Sequence, residues 1–141
     1  MITGRCLCGT VRFDIAGSLG PVVCCHCSQC RHASGSAFAA NASVSFKHVR
    51  FTSGKDAITE FESSPGKFRG FCSGCGSQIY SRREVLPQIL RVRLGTVEGD
   101  PGQRLRAHIF VGSKAPWFEI TDDLPQYEAE PPPEYEVPGS E

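Results

Sequence analysis

The chain has 141 residues, 40% of them hydrophobic, and its 15 basic and 15 acidic side chains give zero net charge. This length predicts one domain with a real core, and the charge balance argues against nucleic acid or an anionic membrane as a partner. No apolar run reaches the roughly 20 residues that a membrane-spanning helix needs. Cys6 and Cys8 follow the initiator so closely that no signal peptide is expected. The sequence therefore predicts a cytoplasmic protein whose thiols stay reduced.

The predicted elements are short strands separated by Gly, Pro, Ser or Asp, which is typical of a mainly-β protein. Residues 10–15 alternate polar and apolar side chains, as a half-buried strand does, and residues 17–21 form a turn. Further strands are predicted at residues 21–24, 37–40, 44–51 with a break, 57–61, 67–71, 78–81, 89–94 and 107–111. No segment keeps an apolar period of 3.6 residues, so we expect any helix to be a single turn, at residues 28–33.

The end of the chain differs in composition from the rest. Residues 128–141 contain five glutamates, four prolines and no basic residue. Such a segment has little apolar surface to bury, which predicts a solvated or disordered acidic, proline-rich tail. The expected organisation is a folded domain over residues 1–127 followed by this tail.

Eight cysteines are the most informative feature of the sequence, and they occur at short spacings: Cys6, Cys8, Cys24, Cys25, Cys27, Cys30, Cys72 and Cys75. In a reducing compartment, pairs separated by one or two residues favour metal binding over disulfide formation. We therefore expect most of these thiols to be metal ligands.

Two of the cysteine pairs together predict a structural zinc site. Cys72 and Cys75 form a CxxC turn, and the neighbouring glycines allow the backbone to wrap closely around one ion. Cys6 and Cys8 supply two more ligands, because alternate residues of an extended chain face the same side. A closed Cys₄ zinc site would tie the start of the chain to its middle.

The stretch CCHCSQC, residues 24–30, supplies three more thiolates, from Cys25, Cys27 and Cys30. A zinc ion with three protein ligands and one open position is typical of a catalytic site. The alternative is a second structural zinc completed by a distant histidine. The candidates for that fourth ligand are His32, His48 and His108.

Two residues inside this stretch are not expected to bind the ion. In an extended segment Cys24 and His26 point away from Cys25 and Cys27, because successive side chains alternate between opposite faces. Cys24 is expected to fill a small apolar pocket.

The charge of a Cys₃ zinc centre indicates what it would bind. Three thiolates outweigh the +2 charge of the ion, so the centre is net negative and a weaker Lewis acid than a zinc held by three histidines. Such a soft centre suits a sulfur ligand better than water, and zinc would hold that sulfur as the nucleophilic thiolate. The sequence thus predicts a site for a small thiol substrate.

Four stretches resemble a known family: GRCLCGTVRFDI, CCHCSQCRHASGSAF, GKFRGFCSGCGSQIY and HIFVGSKAPWFEITDDLPQY. They are similar to the glutathione-dependent formaldehyde-activating enzyme family, which shares its domain with centromere protein V. The resemblance runs from Gly4 to Tyr127 and implies a single β-tent domain of antiparallel sheets pinned by zinc. It also implies a structural zinc on Cys6, Cys8, Cys72 and Cys75 and a catalytic zinc on Cys25, Cys27 and Cys30.

The family activity is the condensation of formaldehyde with glutathione to S-hydroxymethylglutathione, classed as a carbon–sulfur lyase reaction. The resemblance therefore implies a lyase that adds a small thiol, glutathione being the first candidate, to formaldehyde or a related electrophile, or catalyses the reverse. Arg31 could hold a substrate carboxylate, or it could be a surface cation. The alternative function is a non-enzymatic zinc module that binds a protein partner.

Overall fold

The computed structural model describes residues 1–139, which form ten strands, one α-helix and several 3₁₀ turns. The strands are β1 (Ile2–Arg5), β2 (Arg12–Ile15), β3 (Val22–Cys25), β4 (Ala39–Ser45), β5 (Val49–Ser53), β6 (Ile58–Ser64), β7 (Lys67–Cys72), β8 (Gln78–Arg83), β9 (Ile89–Arg93) and β10 (Leu105–Ile109). The helix is α1 (Ser28–Ser34). None of the helices in this described part of the chain is long and apolar enough to span a membrane.

The strands form two sheets of unequal size. The small sheet has the antiparallel order β1-β2-β5. The large sheet has the order β10-β3-β4-β9-β8-β7-β6, and all its neighbours are antiparallel except β10 and β3, which are parallel. The prediction of a mainly-β, single-domain fold is confirmed.

The large sheet buries apolar side chains on both faces. On one face Val22 packs in a core cluster with Phe13 and Ile15 of the small sheet. On the other face Val23 and Cys25 belong to a second cluster, together with Cys30 from α1. Strand β3 contributes to both clusters because its successive side chains point to opposite faces. This alternation places Cys25 on the second face, under α1.

Most predicted strands are present, with small shifts at their ends. The predicted break in residues 44–51 is a 3₁₀ turn at Phe46–His48 between β4 and β5. The predicted single-turn helix is α1, which extends one residue beyond the expected end. Strand β1 was not predicted, because it is only four residues long and includes Gly4. A Cβ atom at Gly4 would lie 2.2 Å from Cζ of Phe13, so this strand needs glycine to approach the core.

Strand β7 is held between β6 and β8 by side chains that reach across it. Glu60 on β6 accepts hydrogen bonds from Nε and Nη2 of Arg82 on β8, each at 2.7 Å, and from the Tyr80 hydroxyl at 2.8 Å. The bonds from Arg82 are the main reason that the pKa of Glu60 is lowered. Gly70 lies on β7 between Glu60 and Tyr80, and a Cβ atom at Gly70 would lie 2.4 Å from Cζ of Tyr80.

Residues 128–139, which we call the C-terminal strap, are half-buried or exposed and contact the domain, whereas residues 140–141 of the predicted tail lie outside the described residues. The Phe110 N–H donates a hydrogen bond to the carbonyl of Ala129 at 3.0 Å. A 3₁₀ turn at Pro133–Glu136 follows, and Tyr135 packs against the second core cluster. The composition of this segment does not reveal that Tyr135 packs on an apolar cluster.

Candidate metal centre

The sulfurs of Cys6, Cys8, Cys72 and Cys75 form a compact group, in which all lie within 4.8 Å of one another. The Sγ of Cys8 lies 3.6 Å from that of Cys6 and 3.8 Å from that of Cys72. Four sulfurs around a tetrahedral zinc ion, each at about 2.3 Å from it, lie roughly 3.8 Å apart. This four-sulfur cluster could therefore hold one metal ion.

The four-sulfur cluster lies where the two sheets meet. Cys6 follows β1 of the small sheet, whereas Cys72 is the last residue of β7 in the large sheet. The turn after Cys72 brings back Cys75, and the hydrogen bond from the Ser77 hydroxyl is the main cause that lowers the pKa of Cys75 to about 5. A lowered pKa favours the thiolate, which is the form that binds metal.

The sulfurs of Cys25, Cys27 and Cys30 form a second group, again within 4.8 Å of one another. Cys25 ends β3, Cys27 is the N-cap of α1, and Cys30 lies in its first turn. The Cys30 N–H donates to Sγ of Cys27 at 3.3 Å. Cys25 and Cys30 are buried, whereas Cys27 is half-buried. This three-sulfur cluster could also hold a metal ion.

No fourth side chain completes the three-sulfur cluster among residues 1–139, because no His, Asp or Glu ligand atom joins the group. The His32 side chain turns back on α1, with Nδ1 2.7 Å from the Ser28 carbonyl oxygen. His108 has partners on both ring nitrogens, and His48 is not in the group either. The histidines proposed for a second structural site are therefore not brought to these sulfurs.

Cys24 and His26 lie on the opposite face of β3 from the three sulfurs, in agreement with the alternation. Nε2 of the fully buried His26 lies 2.8 Å from Nδ1 of His108, and Nε2 of His108 lies 2.9 Å from Oδ2 of Asp122. Because a carboxylate only accepts, Nε2 of His108 donates to Asp122, and Nδ1 of His108 and Nε2 of His26 share one further hydrogen bond. Burial lowers the pKa of His26 to about 4 and raises the pKa of Cys24 to about 12.

Two buried arginines lie close to the three-sulfur cluster. Arg69, which is 3% exposed, has Nη1 3.7 Å from Sγ of Cys30. Hydrogen bonds from the Cys25 and Cys27 thiols lower the pKa of Cys30. The positive charges of Arg93 and Arg69 lower that pKa further. Sequence reasoning missed both arginines, because they reach the cluster only through the order of strands in the large sheet.

A cavity of about 600 Å³ opens beside Cys25 and has charged walls. Lys67 on β7, Arg83 on β8 and Arg91 on β9 supply positive charge to its walls. Glu84, Glu130 and Glu136 supply an equal number of carboxylates. Arg31, the residue proposed from sequence to hold a carboxylate, instead donates from Nε to the Ser113 carbonyl at 3.2 Å. Positive charge for an anionic ligand therefore comes from the sheet.

A second groove, of about 640 Å³, lies along the other side of Arg69 and is mainly apolar. Helix α1 forms one wall with Gln29, His32 and Ala33. Phe61 and other residues of the sheet line the opposite wall. We call this surface the α1 groove.

Comparison with known proteins adds two findings to this geometry. A search of curated proteins finds no match. A crystal structure of a Rhodobacter sphaeroides protein is similar, with a TM-score of 0.60 and 25% identity over 70% of this chain and 89% of that one. The family model described as glutathione-dependent formaldehyde-activating enzyme matches residues 1–113, which include all seven clustered cysteines. The two sulfur clusters thus lie wholly within the matched region, and the chain belongs to the glutathione-dependent formaldehyde-activating enzyme family.

Proposed function

We propose that this protein is a zinc-dependent carbon–sulfur lyase that adds a small thiol to formaldehyde or a related small electrophile, or catalyses the reverse. Glutathione is the first candidate for the thiol. The observation that supports this most is the three-sulfur cluster of Cys25, Cys27 and Cys30, which has no fourth side-chain ligand in residues 1–139 and borders a charged cavity. Membership of the family supports the choice of glutathione and formaldehyde.

The two clusters would hold zinc in different roles. All the donors are sulfur, which is a donor set that zinc accepts readily. Cys6, Cys8, Cys72 and Cys75 would hold a structural ion, whereas Cys25, Cys27 and Cys30 would hold a catalytic one. Zinc in the three-sulfur cluster would supply a fourth position that keeps a substrate thiol deprotonated at neutral pH.

The surrounding side chains suit a negatively charged sulfur substrate. Arg69 and Arg93 are buried beside the cluster and offset the charge of its thiolates. Lys67 and Arg91 line the cavity, where they would offset the charge of the substrate. The cavity volume falls in the range of about 300–1,000 Å³ that is usual for small-molecule sites.

The reaction needs no oxidant or reductant. The substrate sulfur forms a bond to the carbonyl carbon, the carbon–oxygen π bond breaks, and the proton that left the thiol ends on the new hydroxyl oxygen. The reverse reaction breaks the same carbon–sulfur bond. Because the uncatalysed addition is easy, the enzyme gains mainly by holding thiolate and electrophile together. A thiol substrate also fits the reducing cytoplasmic location that the sequence predicts.

Zinc-edge absorption and exchange NMR on the zinc-replete protein test the proposal together. Glutathione should add a fourth sulfur to one zinc ion, and formaldehyde–glutathione interconversion should become faster. Cys27→Ser should lose both effects, whereas Cys24→Ser, a buried cysteine outside both clusters, should keep them. An unchanged zinc environment with no rate effect across a panel of cellular thiols would contradict the proposal and favour a zinc module that binds a protein partner.

A further inference from the structure

The strap places a carboxylate on two arginines of the cavity wall. Oε1 of Glu136 lies 3.1 Å from Nη2 of Arg91 and 3.9 Å from Nη1 of Arg83. The Arg91 side chain is only 14% exposed, and those of Arg83 and Glu136 are 33% and 31% exposed. Partly buried cations need a counter-charge, and arginine is the side chain best shaped to bind a carboxylate.

The strap is fixed on both sides of Glu136. On one side, Ala129 accepts the hydrogen bond from the Phe110 N–H at 3.0 Å. On the other side the backbone of Val137 lies on Gly20, where a Cβ atom would be 2.3 Å from the Val137 carbonyl oxygen. Between these points Tyr135 packs on the second core cluster. Glu136 is therefore held against the cavity as part of the fold.

The three-sulfur cluster and Glu136 border the same cavity, because Cys25 lines it together with Arg91 and Glu136. Burial lowers the pKa of Arg91, and the negative charge of Glu136 opposes that shift. One guanidinium therefore contacts the strap carboxylate and lines the same cavity as a cluster cysteine. A thiol bound by sulfur at the cluster would direct its own carboxylates into this cavity.

We propose that Arg83 and Arg91 form a carboxylate subsite for the substrate, and that Glu136 occupies this subsite in the free protein. A thiol that carries a carboxylate would displace Glu136 and take over its contacts with the arginines. The proposal rests on the function above, since the subsite serves the same cavity. It narrows the substrate class to carboxylate-bearing thiols, of which glutathione, with two carboxylates, is one.

A competitor within the same chain lowers the apparent affinity for substrate, in proportion to the fraction of molecules in which the subsite is open. Removing the Glu136 charge should therefore tighten binding of any ligand that places a carboxylate on Arg83 and Arg91. Glu136→Gln replaces one carboxylate oxygen by an amide nitrogen, which removes the negative charge and keeps the shape of the side chain. The neighbouring Tyr135 is unchanged. Glu134→Gln is the matched control, because this exposed neighbour makes the same charge change without contacting the arginines.

Calorimetry on the zinc-replete full chain should use two probes, glutathione and S-methylglutathione, which keeps the carboxylates but has no free thiol. We expect Glu136→Gln to bind both probes about three- to tenfold more tightly than the unaltered protein. Glu134→Gln should stay within about twofold, and Arg91→Gln should weaken both by roughly tenfold.

The outcomes separate the two proposals. The subsite proposal is overturned if Glu136→Gln binds S-methylglutathione no more tightly than the unaltered protein does, or if Glu134→Gln gives an equal gain in affinity. It is also overturned if neither the unaltered protein nor Glu136→Gln binds S-methylglutathione. An equal gain for both probes, with glutathione binding no more tightly than S-methylglutathione, would support the subsite. The same result would count against sulfur binding at the cluster, which belongs to the function above, because only glutathione has a free thiol.

Discussion

Cys72→Ser should destabilise the fold much more than Cys27→Ser, although each change removes one sulfur from one cluster. Cys72 is fully buried at the end of β7, and its cluster partner Cys8 lies 64 positions earlier in the chain. The four-sulfur cluster therefore joins the small sheet to the large one. The three-sulfur cluster joins only cysteines within one short segment, residues 25–30.

The expected difference follows from the length of chain that each ion closes. A link across 64 residues removes about 4 kcal/mol of chain entropy from the unfolded state, whereas a link across about five residues removes about 2 kcal/mol. A domain of this size is stable by about 5–15 kcal/mol in all. At about 4 °C per kcal/mol, Cys72→Ser should lower the melting temperature by about 15 °C or prevent folding, and Cys27→Ser should lower it by about 8 °C.

Thermal and urea unfolding of zinc-replete protein, with metal content measured on the same samples, would check this. Cys24→Ser controls for the cost of burying a serine, because Cys24 is fully buried and belongs to neither cluster. We expect this variant to melt within a few degrees of the unaltered protein. If Cys27→Ser melts as low as Cys72→Ser, the three-sulfur cluster is structural too. If Cys24→Ser lowers the melting temperature as much as Cys72→Ser does, the argument from loop closure is wrong.

Three further predictions concern single side chains. Arg69→Gln should weaken metal retention at the three-sulfur cluster by about tenfold in a chelator competition, because Nη1 of Arg69 lies 3.7 Å from Sγ of Cys30. If the variant and the unaltered protein lose the metal ion to the chelator equally, the prediction is wrong. Glu60→Gln should lower the free energy of unfolding by about 1 kcal/mol at pH 7. Because the folded-state pKa of Glu60 is lowered, that contribution is present above the unfolded-state pKa of about 4.3 and is lost as the pH falls through the folded-state pKa. Urea unfolding should therefore show the difference between the two proteins shrinking in acid. A constant difference down to about pH 3 would count against this prediction. Cys24→Ala should keep both ions by metal analysis, and loss of either would show that the proposed ligands are wrong.

Local sequence rules predict the CxC and CxxC pairs from which both sulfur clusters are built, and the alternation of side chains along an extended chain separates Cys25 and Cys27 from Cys24 and His26. The two pairs of the four-sulfur cluster, far apart in the chain, were joined by the requirement of four ligands for a closed zinc site. The strand pattern likewise identified nine of the ten strand regions, and β1 was missed. These features depend on neighbours in the chain.

The rest of the site depends on which strands become neighbours, and local patterns do not carry that information. Arg69 and Arg93 reach the cluster because β7 and β9 lie in the same sheet as β3. His108 reaches His26 because β10 pairs with β3 in parallel, after most of the chain has intervened. The contacts of the strap could not be predicted from composition, because they are to residues far away in the sequence.

The N-cap of α1 ties metal binding to the shape of a second surface. A helix of seven residues is too short to be stable alone, and the side chain that caps this one is Cys27, a member of the three-sulfur cluster. A thiolate is a stronger hydrogen-bond acceptor than a thiol, and its negative charge stabilises a helix N-terminus. Filling the cluster should therefore order α1, and with it the wall of the α1 groove formed by Gln29, His32 and Ala33.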